Sequence, residues 1–359
     1  MHDGSAPAPA PRSGPGSGPG SGSPAGASGG SQSGIPGDAS IVCVPLHRRL
    51  EAIQALLRSD RAAAERFLAF ARDTSIRLEG LWACTDGADR IVLSVLAAPS
   101  SGRTATIFAT QARTESDVVT LALLVDRACR AAHDLDVDLA QALVDPTEHR
   151  QLSVFARGGL TRLAALSYLE RPLSPFNLPT TPVFPEDLRT ERWNPTERAE
   201  MIAALEQTYL DTLDCPALAG LRRGDDILEG HMHSGIFEPS LWTVLRYVSG
   251  SCAGSVAGVC LFNASPPTAI EPAGSIELVY FGLVPSARGR GIGRMLLHHG
   301  LSLLKKRRET TLILAVDDRN TPALAIYRDE GFRTRFRRIA FIRPVTRAPD
   351  IGPAHRAPA

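Results

Sequence analysis

The chain has no Cys-x-x-Cys pair, almost no net charge, and no apolar run approaching the ~20 residues a membrane-spanning helix requires. Its six cysteines (Cys43, Cys84, Cys129, Cys215, Cys252 and Cys260) are scattered over both halves, so neither a disulfide framework nor a zinc site is expected. The thiols read as reduced, in a cytoplasmic protein. The basic start and apolar middle of a signal peptide are missing as well. With a formal charge of +1, the whole-molecule field argues for neither a nucleic acid nor a membrane surface as partner. His231-x-His233 and His298-His299 lack a third ligand at a recognisable spacing, and adjacent helical residues diverge by about 100°, so no metal is expected.

What is present falls into two parts of similar size. Of 359 residues, positions 1–39 are nearly all Gly, Ser, Pro and Ala, a composition with few side chains able to offset the entropy of ordering, and a disordered tail is expected there. The remainder suits two domains of ~150 residues. A strand from Ile41 to Leu46 precedes helical stretches around Leu50 to Leu57 and Ala62 to Ala71. A hairpin is expected about Asp86-Gly87-Ala88-Asp89, then a strand from Thr104 to Thr110 and a helix from Ser116 to His133. Four prolines within residues 174–185 mark a semi-extended linker. Beyond it the order recurs: strand, helix, short helix, hairpin. The expected division is a domain over 40–173, a linker over 174–185, a second domain over 186–345 and a flexible tail over 346–359. Phe155 with Gly159 matches Tyr327 with Gly331, and Arg171-Pro172 matches Arg343-Pro344. A tandem duplication is inferred, although two unrelated α/β units would give as weak a likeness.

The stretch most informative about chemistry runs from Ser275 to Lys306. A strand, Ser275 to Pro285, leads into Arg288-Gly289-Arg290-Gly291-Ile292-Gly293-Arg294 and a helix from Met295. Three glycines let successive amides face one point, and a helix beginning there adds the positive end of its dipole, an arrangement suited to a diphosphate. Arg288, Arg290 and Arg294 are expected to supply countercharge. The spacing is not Gly-x-Gly-x-x-Gly, and the lysine of a nucleotide-triphosphate loop is missing, which argues against a dinucleotide site and an NTPase.

Arg288-x-x-Gly291-x-Gly293 after Gly282-Leu283-Val284-Pro285 resembles motif A of the GNAT acetyltransferases. The downstream strand, Asn320 and Tyr327-x-x-x-Gly331-Phe332 resemble motif B. The resemblance spans about seventy residues and implies an α/β fold with a mixed, largely antiparallel sheet, flanking helices and splayed central parallel strands, present twice in tandem. It implies acetyl-CoA as co-substrate, with the diphosphate on the amides of Gly289, Gly291, Ile292 and Gly293. The pantetheine arm would lie along Phe281, Leu283, Val284 and Pro285, and Gly282 stands where a strand bulge is expected. Glu277, on the strand, is the expected base, its alternative being a solvated or arginine-paired carboxylate. Tyr327 falls where the family's tyrosine protonates the departing thiolate. Asn320 precedes Thr321-Pro322, so it caps a helix, approaches the cofactor, or does both.

In the first half no glycine follows the strand from Thr104. Glu115 and Asp117 stand where phosphate would bind, and Phe155 replaces the tyrosine. That half is expected to be a catalytically silent relative of the second. The arginines and lysines at 305–308 and 333–338 read first as a solvated basic surface. The expected activity is acetylation of a primary amine on a small molecule. Acetylation of a cysteinyl amine and a noncatalytic acyl-CoA sensor are the alternatives, and monomer and homodimer are both open.

Overall fold

A computed structural model of the protein describes residues 40–267 and 272–345; the tails expected at 1–39 and 346–359 lie outside them. The first half runs β1 (Ser40–Cys43), α1 (Arg49–Leu57), α2 (Arg61–Asp73), β2 (Leu81–Thr85), β3 (Ile91–Ser100), β4 (Thr104–Ala109), α3 (Glu115–Ala131), β5 (Leu139–Val144), α4 (His149–Arg157) and β6 (Thr161–Pro172). The second half repeats that order as β7 (Leu188–Arg192), α5 (Arg198–Tyr209), α6 (Gly224–Met232), β8 (Ile236–Tyr247), β9 (Val256–Ser265), β10 (Ser275–Leu283), α7 (Ile292–Leu303), β11 (Thr311–Asp317), α8 (Thr321–Asp329) and β12 (Arg333–Pro344). Helix starts follow local chemistry. Asp60, Thr114 and Asn320 each accept a backbone N–H of the first turn of α2, α3 and α8, and Pro322 occupies a first-turn position that needs no N–H partner.

The twelve strands among the described residues form one sheet in the order β1-β2-β3-β4-β5-β12-β6-β11-β10-β9-β8-β7. The last strand of each half is exchanged. β12 pairs antiparallel with β5 and β6, and β6 pairs antiparallel with β12 and β11. Ile339 and Phe341 of β12 consequently pack in the core of the first half, and Leu169 of β6 packs in the core of the second. Arg338 to Asp145 at 3.0 Å and Arg343 to Asp126 at 2.9 Å tie the exchanged strand down.

The strand pairs β4–β5 and β10–β11 are parallel, and each pairing is short. β10 meets β11 only at Ser275, Ile276 and Glu277, opposite Thr311, Leu312 and Ile313. Beyond that point the strands part. The register of β10 against β9 shifts between Leu278 and Tyr280, so the bulge falls at Val279 and not at Gly282 as expected. Gly282 stays in register opposite Val259, and a Cβ there would come within 2.7 Å of the Tyr280 hydroxyl. The glycine makes room for a neighbouring side chain and does not bend the strand.

Candidate active site

Where β10 leaves β11, a cavity of about 660 Å³ opens between them. One wall is the β10 edge from Leu278 to Leu283, which has no partner strand on the β11 side. The cavity ends at the start of α7. Gly289 (φ +72°) and Gly291 (φ +76°) adopt left-handed backbone that a side chain would strain, and open space surrounds both. Gly291 is the N-cap, so the amides that follow have no intrahelical acceptor and face the cavity mouth with the positive end of the helix dipole.

Most of the expected cofactor residues meet here. Phe281, Leu283, Arg288, Gly289, Gly291, Gly293, Arg294 and Asn320 line the cavity, and Tyr327 lines it as well. The side chains of four others point elsewhere. Val284 is buried and its amide donates to the Ala257 carbonyl (3.0 Å), Ile292 packs in the core, Pro285 opens a helical turn, and Arg290 lies 3.9 Å from Asp187. Arg288 departs from its expected role as countercharge. Its guanidinium donates to the carbonyls of Thr208, Leu210, Asp211 and Leu283, fastening the end of α5 to the end of β10. Arg294 ion-pairs with Asp329 across to α8. Asn320 accepts from the Ala323 N–H at 3.4 Å, so it is a cap that also borders the cavity.

Tyr327, on α8, is 6 % exposed, and its phenol makes no hydrogen bond among the described residues. Burial, with the charge of Asp214 adding to it, raises its pKa well above the ordinary phenol range, so the proton is held at neutral pH. Glu277 stands at the last position of β10 that pairs with β11, where its Oε2 accepts from the Ser234 hydroxyl at 3.2 Å. Burial raises its pKa, and the serine partly offsets this. Glu277 is not itself on the cavity wall; its neighbour Val279 is. Val279 and Ser234 also border a second cavity of about 920 Å³, whose other wall, including Ser100 and Gln141, comes from the first half. Val279 thus lies where the two cavities meet.

Two neighbours of the site were not singled out from sequence. Ser234 holds the Glu277 carboxylate. Tyr168 belongs to the first half, but the exchange of β6 sets it opposite Ala315 and stacked on Phe336 (centroids 4.5 Å apart). Burial and then the nearby Glu277 charge raise its phenol pKa. Only the strand order brings Tyr168 here, and no local pattern carries that information. His231 is a half-buried, neutral histidine on the wall of the larger cavity, its pKa lowered by desolvation to about 3, and no group of three or more potential metal ligands gathers among the described residues.

The corresponding place in the first half is filled by the chain itself. β4 parts from β5 after Thr106, as β10 parts from β11. Into that gap α4 sends Gln151, 7 % exposed, which accepts from the Ala112 N–H (3.1 Å) and donates to the carbonyls of Ala109 and Thr110 (both 3.4 Å). At the start of α3, Thr114 accepts from the Asp117 N–H and the Asp117 carboxylate accepts from the Arg113 N–H, so these amides are already satisfied. With Phe155 equivalent to Tyr327, Gln151 is equivalent to Ala323, a residue short enough to leave the second cavity-forming gap open.

Residues 223–332 match the profile of the acetyltransferase (GNAT) family. A mycothiol acetyltransferase of Streptomyces bingchenggensis is 32 % identical over 180 residues, covering 49 % of this chain and 53 % of that protein. A mycothiol acetyltransferase of Jonesia denitrificans is 28 % identical over 223 residues, covering 62 % and 67 % respectively. The chain therefore matches about half the length of the first of these relatives. A GCN5-related N-acetyltransferase from Sphaerobacter thermophilus shares the fold, with a TM-score of 0.53 at 16 % identity over 87 % of this chain and 97 % of that one. The profile match lies wholly in the second half of the chain, over the elements that build the cavity between β10 and β11.

Proposed function

We propose that the protein is an acetyl-CoA-dependent N-acetyltransferase that acetylates a primary amine of a small molecule at a single site in its second half. The observation that carries this reading is the open β10 edge leading to the unblocked start of α7, with the free phenol of Tyr327 on the same cavity. Backbone groups of Phe281 and Leu283 would hold the pantetheine arm as an added strand does, and the amides after Gly291 would hold the diphosphate. Bound acetyl-CoA supplies an acyl group activated as a thioester. One proton must leave the amine and another must reach the sulfur; Glu277 accepts the first, directly or through water, and Tyr327 donates the second. The acceptor approaches from the cavity shared with the first half, which meets the cofactor cavity at Val279. The satisfied amides and inserted Gln151 support a first half without acetyl-CoA of its own. Acetylation of a cysteinyl amine is the second reading, favoured by the mycothiol acetyltransferases among the relatives.

The pH dependence of thiol release over a panel of primary amines tests the assignment of the base. Glu277 acts only when deprotonated, so activity rises as pH increases through its pKa, which burial places above the ordinary 4.5. Glu277→Gln is expected to lower kcat/KM by about 100-fold and remove that limb of the profile. An unchanged limb in the variant sinks the role of Glu277.

A further inference from the structure

Two carboxylates on the cofactor cavity, Asp211 and Asp214, have no part in the chemistry above, and Asp211 is exposed to solvent. Asp214 lies in the loop after α5, on the same cavity as Tyr327. The loop positions it: its N–H donates to the Thr212 hydroxyl at 3.1 Å, and its Oδ1 accepts from the Asp317 N–H at 2.8 Å. The neighbouring Asp317 is fully buried and has its cation, Arg319, at 2.7 Å. Among the described residues Asp214 has no such ion pair, and the nearby guanidinium of Arg288 is engaged by four carbonyls. Accepting one N–H is a task an asparagine performs equally well, so the charge itself is surplus to the fold. A carboxylate largely removed from water without a countercharge is costly, and such a group persists where a ligand supplies the missing cation. Burial, and after it the charge of Asp317, raises its pKa, as expected of a carboxylate short of positive charge.

We infer that Asp214 binds the ammonium group of the acceptor and so selects amines that enter the site as cations. The inference rests on the acetyl-transfer reading and adds to it the residue that recognises the acceptor. Asp214 holds the ammonium on the cofactor cavity; Glu277 takes one of its protons as the nitrogen becomes the nucleophile, and the proton that the nitrogen sheds after attack replaces the one Tyr327 gives to the sulfur.

Asp214→Asn tests this by two independent readouts. The variant keeps the hydrogen bond from Asp317 and loses only the charge, so its melting temperature at pH 7 should be equal to or higher than that of the parent. With n-propylamine, ethanolamine and serine methyl ester as acceptors, KM should rise at least about tenfold while kcat moves less and acetyl-CoA binds no more weakly. A lower melting temperature, or an unchanged acceptor KM, overturns the assignment. Failure of the acetyl-transfer reading looks different: the parent protein would release no thiol with any amine, and the melting temperatures would still decide whether the Asp214 charge serves the fold.

Discussion

Ala323→Gln is expected to weaken acetyl-CoA binding by at least about 100-fold while leaving the fold intact. The first half contains the experiment already. Gln151 stands at the equivalent place on α4, fills the gap between the parting strands and hydrogen-bonds the backbone of residues 109–112. A glutamine at 323, on α8, would occupy the second gap and compete for the β10 edge. Displacing it would leave two or more polar groups to be satisfied again at ~1–3 kcal/mol each, and 2.7 kcal/mol is a factor of about 100 in affinity. Glutamine is also a good helix former, and the Asn320 cap of the Ala323 N–H involves no side-chain atom of residue 323. Titration calorimetry with acetyl-CoA and a melting curve make the comparison. Unchanged affinity would mean that the cofactor does not pass Ala323.

The second large effect concerns turnover. Tyr327→Phe should lower kcat by about 100- to 1,000-fold with little change in acetyl-CoA affinity, because the phenol acts as charge develops on sulfur and not in the resting complex. The fold tolerates phenylalanine here: Phe155 holds the equivalent place on α4, 3 % exposed and packed 6.2 Å from Phe341. An ordinary phenol at pKa ~10 is already a weaker acid than a thiol at ~8.5, and burial of Tyr327 widens the gap. Full transfer to the sulfur therefore depends on the site, and the positive charge that the nitrogen carries after attack would offset the nearby negative charge that opposes tyrosinate formation. Unchanged kcat in the variant would remove Tyr327 from the acid role.

The features legible in the sequence were those set by local chemistry. The glycine loop announces itself because left-handed backbone at Gly289 and Gly291 excludes side chains, and the helices and the hairpin about Asp86 follow from periodicity and turn residues. The repeated order of elements was readable from Phe155 and Tyr327 and their following glycines. Other features depend on partners distant in the chain. The bulge at Val279 reflects how β10 meets β9, and a glycine at 282 was a misleading marker because its role is to admit Tyr280. Arg288 reads as countercharge from its spacing, but four carbonyls at the end of α5 and β10 claim it. The exchange of β6 and β12 was invisible, since the alternation of a strand shows which face is buried and says nothing of its neighbour. That exchange is also why Tyr168, more than a hundred residues before Glu277, was missed.

One acetyl-CoA site per chain, in the second half, is a stoichiometry that can be measured on the intact protein. Calorimetric titration should give one molecule bound per chain, lost in Ala323→Gln and retained in Tyr327→Phe. Two molecules per chain, or one that survives the blocked gap at residue 323, would rule out a single site between β10 and β11.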